Sequence, residues 1–194
     1  MARWFLFFVI YSFFGYCLEK VFAYVTASPR QTRKCFLLLP LCPVYGLGMI
    51  AAIALAPTAE NVFFLVFILG VVCTLAEYLV HLFYDRVFGV QFWDYSALRG
   101  NINGRVSPQF SAVWGILSAL AVRYVHPAAD HLVQRVSPAG AFFLWIVFAA
   151  DCVLTASLLA RYHDTERLSF AAFLSSGSPT NPERRGRRTG GSSH

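Results

Sequence analysis

The chain has 194 residues, of which 57% are hydrophobic and 13% charged, about half the charged fraction of an ordinary soluble domain. A water-soluble core cannot bury this much apolar sequence, so lipid must be part of the solvent. The formal charge of +6 comes mostly from connections and the tail, which indicates cytoplasmic segments rather than nucleic-acid binding.

Five apolar segments are long enough, or nearly so, to cross a hydrocarbon core of about 30 Å. Their approximate ranges are 3–28, 37–57, 61–84, 108–126 and 138–161. Pro40 and Pro43 interrupt the second segment, so we expect its start to be bent or not yet helical. The sequence therefore predicts an all-α polytopic membrane protein with about five transmembrane helices in a domain covering 1–168.

The last residues, 169–194, consist largely of Ser, Gly, Pro and Arg without an apolar face, which predicts a disordered basic tail. Twelve of the sixteen Lys and Arg residues follow the first, third and fifth segments. The positive-inside rule then predicts an N-terminus outside and a C-terminus in the cytoplasm of a cell membrane.

Three carboxylates fall within predicted spans: Glu19, Glu77 and Asp151. A charge at membrane depth costs about 2.5 kcal/mol or more unless it is paired, protonated or facing water. All three acids lie on odd-numbered spans at similar depth, about 24 Å from the outer end for Glu19 and Glu77. They could line one polar cavity open to the cytoplasm, with His81 on the face of Glu77. Alternatively, Glu19 pairs with Lys20 or reaches the interface, and Glu77 bonds a neighbouring helix.

A polar insert, WDYSALRGNINGRVS at 93–107, lies between apolar segments. Trp93 and Tyr95 suit the membrane interface. Asn101, Asn103 and Gly104 favour turns, so NINGR predicts a tight turn.

That turn would deliver Arg105 to the cytoplasmic mouth of the cavity. The hypothesis is that Asp94 and Arg105 pair, or that Arg105 binds an anionic ligand beside Glu19 and Glu77. The alternative is an ordinary interfacial loop that obeys the positive-inside rule.

The first two spans and the next two share an order of features. GYCLE precedes a basic connection and LCPVYGLG, while CTLAE precedes a longer connection and VSPQFSAVWG. A parallel two-helix duplication with a fifth helix added would explain this order. Chance similarity is the alternative, because Pro is common at helix starts.

Motifs for other chemistry are missing from the sequence. The five cysteines show neither CxxC pairs nor zinc spacing, which favours small buried side chains and no metal. Without GxxxxGK[ST] the chain cannot cradle ATP phosphates in that way, and HExxH, GxSxG and DxD are absent too. We therefore expect no cofactor, and the sequence favours a function other than that of an enzyme.

Several motifs together resemble a known family: YSFFGYCLE, LPLCPVYGLG, LAEYLVHLFYD, FWDYS, NINGRVS and SAVWG, followed by HP. Over about 4–127 the chain is similar to the putative ABC-transporter type IV membrane proteins, also called CmpB-like. The resemblance implies a bacterial inner-membrane protein named as a transporter permease. The family often has Cys where this chain has Ser107, so a thiol is not required there. By motif, the resemblance implies that the following positions are important: Glu19, Pro40, Cys42, Pro43, Tyr45, Gly46, Glu77, Trp93, Asp94, Tyr95, Asn101, Asn103, Gly104, Arg105, Trp114 and Gly115.

Three function classes remain open. A transporter component fits the intramembrane acids and broken helices, and five spans are few enough to predict a homodimer, a partner membrane subunit or a separate ATPase. A lipid-modifying enzyme could use Glu77, His81, Asp94 and Arg105 as acid, base and phosphate ligands. An assembly or regulatory subunit would use its polar residues to hold another membrane protein.

Overall fold

The computed structural model describes residues 1–26 and 35–162. Over these residues the all-α prediction is confirmed, and the only β contact there is an isolated bridge between Ile102 and Val106. The helices are α1 (Ala2–Val25), α2 (Pro43–Leu55), α3 (Val62–Phe88), α4 (Pro108–Leu120), α5 (His126–Arg135) and α6 (Pro138–Tyr162). The predicted disordered tail, 169–194, lies outside the described residues.

Helices α1, α3 and α6 are long and apolar enough to cross a membrane. Large apolar side chains on them face outward, including Phe63 and Phe143, which are 85% and 65% exposed. Such exposure is costly in water and ordinary in lipid. The chain is therefore a membrane protein, as its composition predicts.

The other two predicted spans are less regular. Helix α2 continues through a 3₁₀ turn, Ala56–Thr58, and forms a shorter apolar helix. Helix α4 continues through a π-helical segment, Ala121–Val125, directly into α5. The count of five spans thus stays a prediction for these two elements.

Proline explains both departures from the predicted boundaries. Helix α2 begins at Pro43, its first helical position, rather than near 37, and residues 36–40 form bends. The expectation of a non-helical start is thereby confirmed. Helical backbone continues past residue 126, the predicted end of the fourth span, to Arg135, and the end of that span stays a prediction. Pro127 would clash with the carbonyl one turn back in a regular α-helix, and the wider π turn before it accommodates the ring.

The cysteine prediction is wrong for two of the five residues. Cys35 and Cys42 are joined as a disulfide that brackets the bent segment, with Cα atoms 5.1 Å apart. Their spacing of seven residues matches no common motif, and only the bend brings them together. Cys17, Cys73 and Cys152 are free and partly buried.

Two helix pairs, α1–α2 and α3–α4, pack closely through glycine. A Cβ atom on Gly46 of α2 would lie 2.7 Å from the carbonyl oxygen of Phe8. A Cβ atom on Gly115 of α4 would lie 2.5 Å from the carbonyl oxygen of Val66 and 3.1 Å from the Cα atom of Gly70. Small residues at helix crossings let backbones approach closely, which is a main source of packing energy in membranes.

The remaining helices, α5 and α6, both contact α1. The guanidinium of Arg3, near the start of α1, donates to Asp130 of α5, with Nη2 2.5 Å from Oδ1. Phe148 of α6 packs edge-on against Phe5 and Phe8 of α1, with ring centroids 5.7 and 5.3 Å apart. Helix α6 is therefore held against the outer side of α1.

We predict that Gly115→Ala lowers the melting temperature of the detergent-solubilised protein. The new methyl group would overlap the Val66 carbonyl oxygen, and overpacking of this kind costs about 1–3 kcal/mol. Gly48→Ala is the matched control, because its Cβ would lie 3.5 Å from the Cys73 sulfur, an ordinary contact. The control should melt at or above the wild-type temperature, since Ala is favoured over Gly in helices by about 1 kcal/mol. Equal melting temperatures for the two variants would contradict the close α3–α4 crossing.

Candidate functional site

A cavity of about 470 Å³ lies between α1, α2, α3 and α4. The bent segment that includes Cys35 and Cys42 and the start of the insert, from Phe92 to Tyr95, contribute to its walls. Most lining side chains are apolar or aromatic. Among the described lining residues, the carboxylates are Glu19 and Glu77. Two of the three predicted intramembrane acids therefore face one cavity.

Glu77 connects three elements at the cavity wall. Its carboxylate accepts a hydrogen bond from the Tyr95 hydroxyl at 2.9 Å and from the indole Nε1 of Trp114 at 3.2 Å. Glu77 and Tyr95 are both buried, and the Tyr95 ring stacks on Phe110 with centroids 4.7 Å apart. The acid on α3 thus holds both the insert and α4.

Glu19 has a corresponding arrangement on the first helix pair. Its carboxylate accepts a hydrogen bond from the Tyr45 hydroxyl of α2 at 2.6 Å. The Tyr45 ring lies edge-on to the Trp114 ring, with centroids 5.4 Å apart. The hydrogen-bond donor of Glu19, Tyr45, is therefore in ring contact with a hydrogen-bond donor of Glu77, Trp114.

The two helix pairs repeat one set of contacts. In each pair, an aromatic residue just before the packing glycine donates to the acid of the preceding helix: Tyr45 to Glu19, and Trp114 to Glu77. In each pair, the glycine faces the carbonyl of the residue eleven positions before that acid. These contacts agree with the internal echo in the sequence, and the duplication itself stays a prediction.

His81 holds the insert instead of lining the cavity. It is 3% exposed, and its Nε2 lies 3.1 Å from the backbone carbonyl oxygen of Trp93. The indole of Trp93 in turn donates to the carbonyl oxygen of Arg105 at 2.9 Å. His81 and Trp93 therefore connect α3 to both ends of the insert.

The tight turn in the insert is confirmed. Asn103 and Gly104 have φ values of 53° and 68°, and the amide of Arg105 donates to the Ile102 carbonyl at 3.0 Å. Two successive positive φ values define a type I′ turn, for which Asn-Gly is the favoured pair. Asn101 supports the turn by accepting from the Gly104 amide at 2.9 Å.

The predicted ion pair between Asp94 and Arg105 is wrong. Arg105 Nη2 lies 2.8 Å from Asp85 of α3, and its guanidinium lies over the Tyr78 ring, 5.4 Å from the centroid. The Asp94 carboxylate accepts from the amide and hydroxyl of Ser96 at 2.8 and 2.6 Å. These hydrogen bonds lower the pKa of the Asp94 carboxyl. Asp94 thus closes its own turn, while the chain reversal directs Arg105 back to α3.

The cavity differs from its prediction in two further ways. Neither Arg105 nor Asp151 lines it. Asp151 is buried and accepts a hydrogen bond from the Leu39 amide at 3.2 Å, because the bend around Pro40 leaves that amide without a helical partner. The prediction that Asp151 faces the cavity is therefore wrong.

Asp85 and Tyr78 were not identified from the sequence as partners of Arg105. A signal was present, because Asp85 lies four positions after His81 and seven after Tyr78, on one helical face. The residues suggested for acid–base chemistry are distributed: Glu77 is at the cavity, while His81, Asp94 and Arg105 have separate partners. In the part of the chain described, no group of three or more His, Cys, Asp or Glu could hold a metal ion.

Comparison with known proteins supplies a family. A family model described as "Putative ABC-transporter type IV" matches residues 6–156, which is more than half of the chain. Comparison with curated proteins found no match, and comparison with solved structures found none.

We predict that Arg105→Ala and Asp85→Ala are strongly non-additive in melting temperature. Each single change removes the same ion pair, so the double variant should melt close to the less stable single variant. Asp94→Ala combined with Arg105→Ala is the control pair and should be additive. If the effects on melting temperature were additive for Asp85→Ala with Arg105→Ala and non-additive for Asp94→Ala with Arg105→Ala, the partner of Arg105 would be Asp94 and not Asp85.

We also predict that Gly104→Ala destabilises the insert by about 1–3 kcal/mol, as expected for a strained backbone. An alanine at this position would have to adopt a φ of 68°, which residues with a Cβ rarely do. Its Cβ would also lie 2.5 Å from the Ser96 hydroxyl oxygen. Asn103→Gly should retain wild-type stability, since Gly adopts positive φ readily. Limited proteolysis of the insert would measure both, and a Gly104→Ala protein as resistant as the wild type would contradict the turn.

Proposed function

The chain belongs to the family described as "Putative ABC-transporter type IV", and from this membership and the cavity we propose that it is the membrane-spanning component of a transporter. In this role it is a permease, and its substrate binds in the cavity between α1, α2, α3 and α4. The proposal includes the predicted orientation, in which the end of the bundle with the insert and the bent segment faces the cytoplasm.

One observation carries the proposal: Glu19 and Glu77, from separate membrane helices, face the same cavity. An ionisable side chain at membrane depth is costly, and such groups usually mark substrate or ion pathways. Here each acid also receives a hydrogen bond from an aromatic donor, and these bonds fix the carboxylate positions. Preorganised polar groups in a mostly apolar cavity are typical of small-molecule sites.

A transporter of this kind requires more than one chain. The sequence has no phosphate-binding loop of the GxxxxGK[ST] type, so ATP-driven transport requires a separate ATPase. A second copy of the chain or another membrane subunit would complete the passage. Purification from native membranes under mild detergent tests this, and recovery of the chain only as a monomer without an ATPase would contradict it.

We predict that Glu19→Gln and Glu77→Gln abolish transport. Gln at position 19 retains an oxygen that accepts from Tyr45, while Gln at position 77 can accept from Tyr95 or from Trp114 but not from both, because these donors bond different carboxylate oxygens. Both variants lack the charge, and their melting temperatures establish that the fold persists. Glu60→Gln is the matched control, because Glu60 is exposed in the α2–α3 connection. The measurement compares solutes in cells and medium for a deletion strain expressing each variant.

The result expected is that wild type and Glu60→Gln restore the solute distribution and both cavity variants fail, at equal protein abundance. Full restoration by Glu19→Gln and by Glu77→Gln at normal abundance would contradict the site. Unchanged solutes with altered lipid composition in the deletion strain would instead favour a lipid-modifying enzyme.

A further inference from the structure

We propose that Cys35 and Cys42 form a redox modification site: exchange with a dithiol reductant opens their disulfide and releases the Cys35 end of the bent segment from the start of α2. The proposal rests on the proposed function, because the orientation given there places this end of the bundle in the cytoplasm. Three features carry it: the compartment, the positions of the two sulfur atoms, and the contacts of the bent segment.

A disulfide is unusual at the cytoplasmic end of a membrane protein. Glutathione and thioredoxin keep thiols reduced in that compartment, and the disulfides found there are usually transient and serve redox sensing or catalysis. The structure nevertheless brings the Cα atoms of Cys35 and Cys42 to 5.1 Å, a separation that suits a disulfide. In the cytoplasm the pair therefore forms and opens with the redox state instead of serving as a permanent cross-link.

The two cysteines differ in exposure, and this difference determines the course of the exchange. Both line the cavity, but Cys35 is partly exposed whereas Cys42 is buried. An incoming thiolate therefore reaches the Cys35 sulfur more readily. Cys42, the leaving group, is the N-cap residue of α2, and the positive end of a helix stabilises a thiolate at that position.

The exchange proceeds in two steps. In the first, a thiolate of the reductant bonds to the Cys35 sulfur, the Cys35–Cys42 bond breaks, and its electron pair leaves on Cys42 as a thiolate. In the second, the other thiolate of the reductant attacks the reductant sulfur of this mixed disulfide, and Cys35 leaves as a thiolate. The reductant ends as a disulfide, the cysteine pair gains two electrons, and the protons from the reductant's two thiols pass to the cysteines.

The bent segment is attached to three different elements. Residues 36–40 form bends rather than helix, and segments without regular hydrogen bonding open at low free energy. The Leu39 amide donates to Asp151 of α6 at 3.2 Å, and the Phe36 ring stacks on Tyr84 of α3 with centroids 5.0 Å apart. The disulfide supplies the attachment of the Cys35 end to α2. Reduction removes this attachment and leaves the others, so the segment becomes more mobile while the bundle stays assembled.

The released end forms part of the cavity wall, because Cys35 and Phe36 both line the cavity. A wall that is fixed by a disulfide keeps one shape, whereas a wall released at one end adopts several. The redox state of the cytoplasm thereby regulates the site in which the substrate binds.

The first test measures the redox state of the pair in cells. Acid-quenched cells are treated with a polyethylene-glycol maleimide, which adds mass to each free thiol, before and after exposure to the thiol oxidant diamide. We expect all five cysteines to react in growing cells, two thiols to be lost after diamide, and both to return on recovery. A Cys35→Ala chain should keep the same number of thiols throughout. A wild-type pair that stays oxidised in growing cells, or stays reduced after diamide, would overturn the proposal.

The second test measures the effect on the bent segment in the purified full chain. Hydrogen–deuterium exchange of the peptide covering residues 37–41 should be at least about tenfold faster after reduction by dithiothreitol, the dithiol probe. Cys35→Ala should exchange at the fast rate with or without dithiothreitol. Cys17→Ala retains the pair and is the matched control, which should respond as the wild type does. Equal exchange in oxidised and reduced wild type would overturn the proposal.

These outcomes are separable from failure of the proposed function. Ala97 is exposed in the insert, and an Ala97→Cys chain without native cysteines, treated in intact cells with a membrane-impermeant maleimide, reports the side on which the insert lies. Labelling together with a permanently oxidised wild-type pair would contradict both the orientation and the redox site. A permanently oxidised pair without labelling would overturn the redox site alone. A reversible pair in a protein whose deletion changes no solute would support the redox site and contradict the transporter role.

Discussion

Carboxylates in the membrane helices require hydrogen-bond donors, and this requirement determines how the insert and the four central helices are arranged. Glu77 accepts hydrogen bonds from the insert through Tyr95 and from α4 through Trp114, so one acid fixes the relation of three elements. Glu19 connects α1 to α2 through Tyr45. Because the rings of Tyr45 and Trp114 also touch, the two acids and their donors form one continuous arrangement across the four-helix core.

That arrangement depends on the close helix crossings. Tyr45 and Trp114 reach their acids because the next residue in each case is glycine, which brings the helix near its neighbour. A larger residue at Gly46 or Gly115 would move the aromatic donor away together with its helix. Packing and polar satisfaction are therefore coupled in each pair. Both acids and both rings line the cavity between these helices.

The sequence predicted those parts of the structure that depend on local chemistry. Composition identified the lipid environment, proline identified the late start of α2, and NINGR identified a tight turn, which the structure shows to be type I′ at Asn103 and Gly104. The helical rise per residue predicted equal depths for Glu19 and Glu77, and in the structure both residues line one cavity. Depth does not define the direction in which a helix faces, so Asp151 was wrongly assigned to that cavity.

Other features could not be predicted because they depend on contacts between distant segments. Asp85 became the partner of Arg105 through a chain reversal that brings the insert back to α3. The Cys35–Cys42 disulfide required the bend between them. The π-helical segment Ala121–Val125 lies where helical backbone continues into Pro127, and the sequence pattern had placed a span end there instead.

Cross-linking of cysteines at positions 45 and 114 tests the central claim most directly. In a chain whose native cysteines are replaced by alanine, Tyr45→Cys and Trp114→Cys should be joined within one chain by a short bifunctional thiol reagent. Gly48→Cys with native Cys73 restored is the positive control, since a Cβ at residue 48 lies 3.5 Å from the Cys73 sulfur. Efficient linkage of both pairs is the predicted result. Linkage of the control pair without linkage of 45 to 114 would contradict a shared cavity for Glu19 and Glu77.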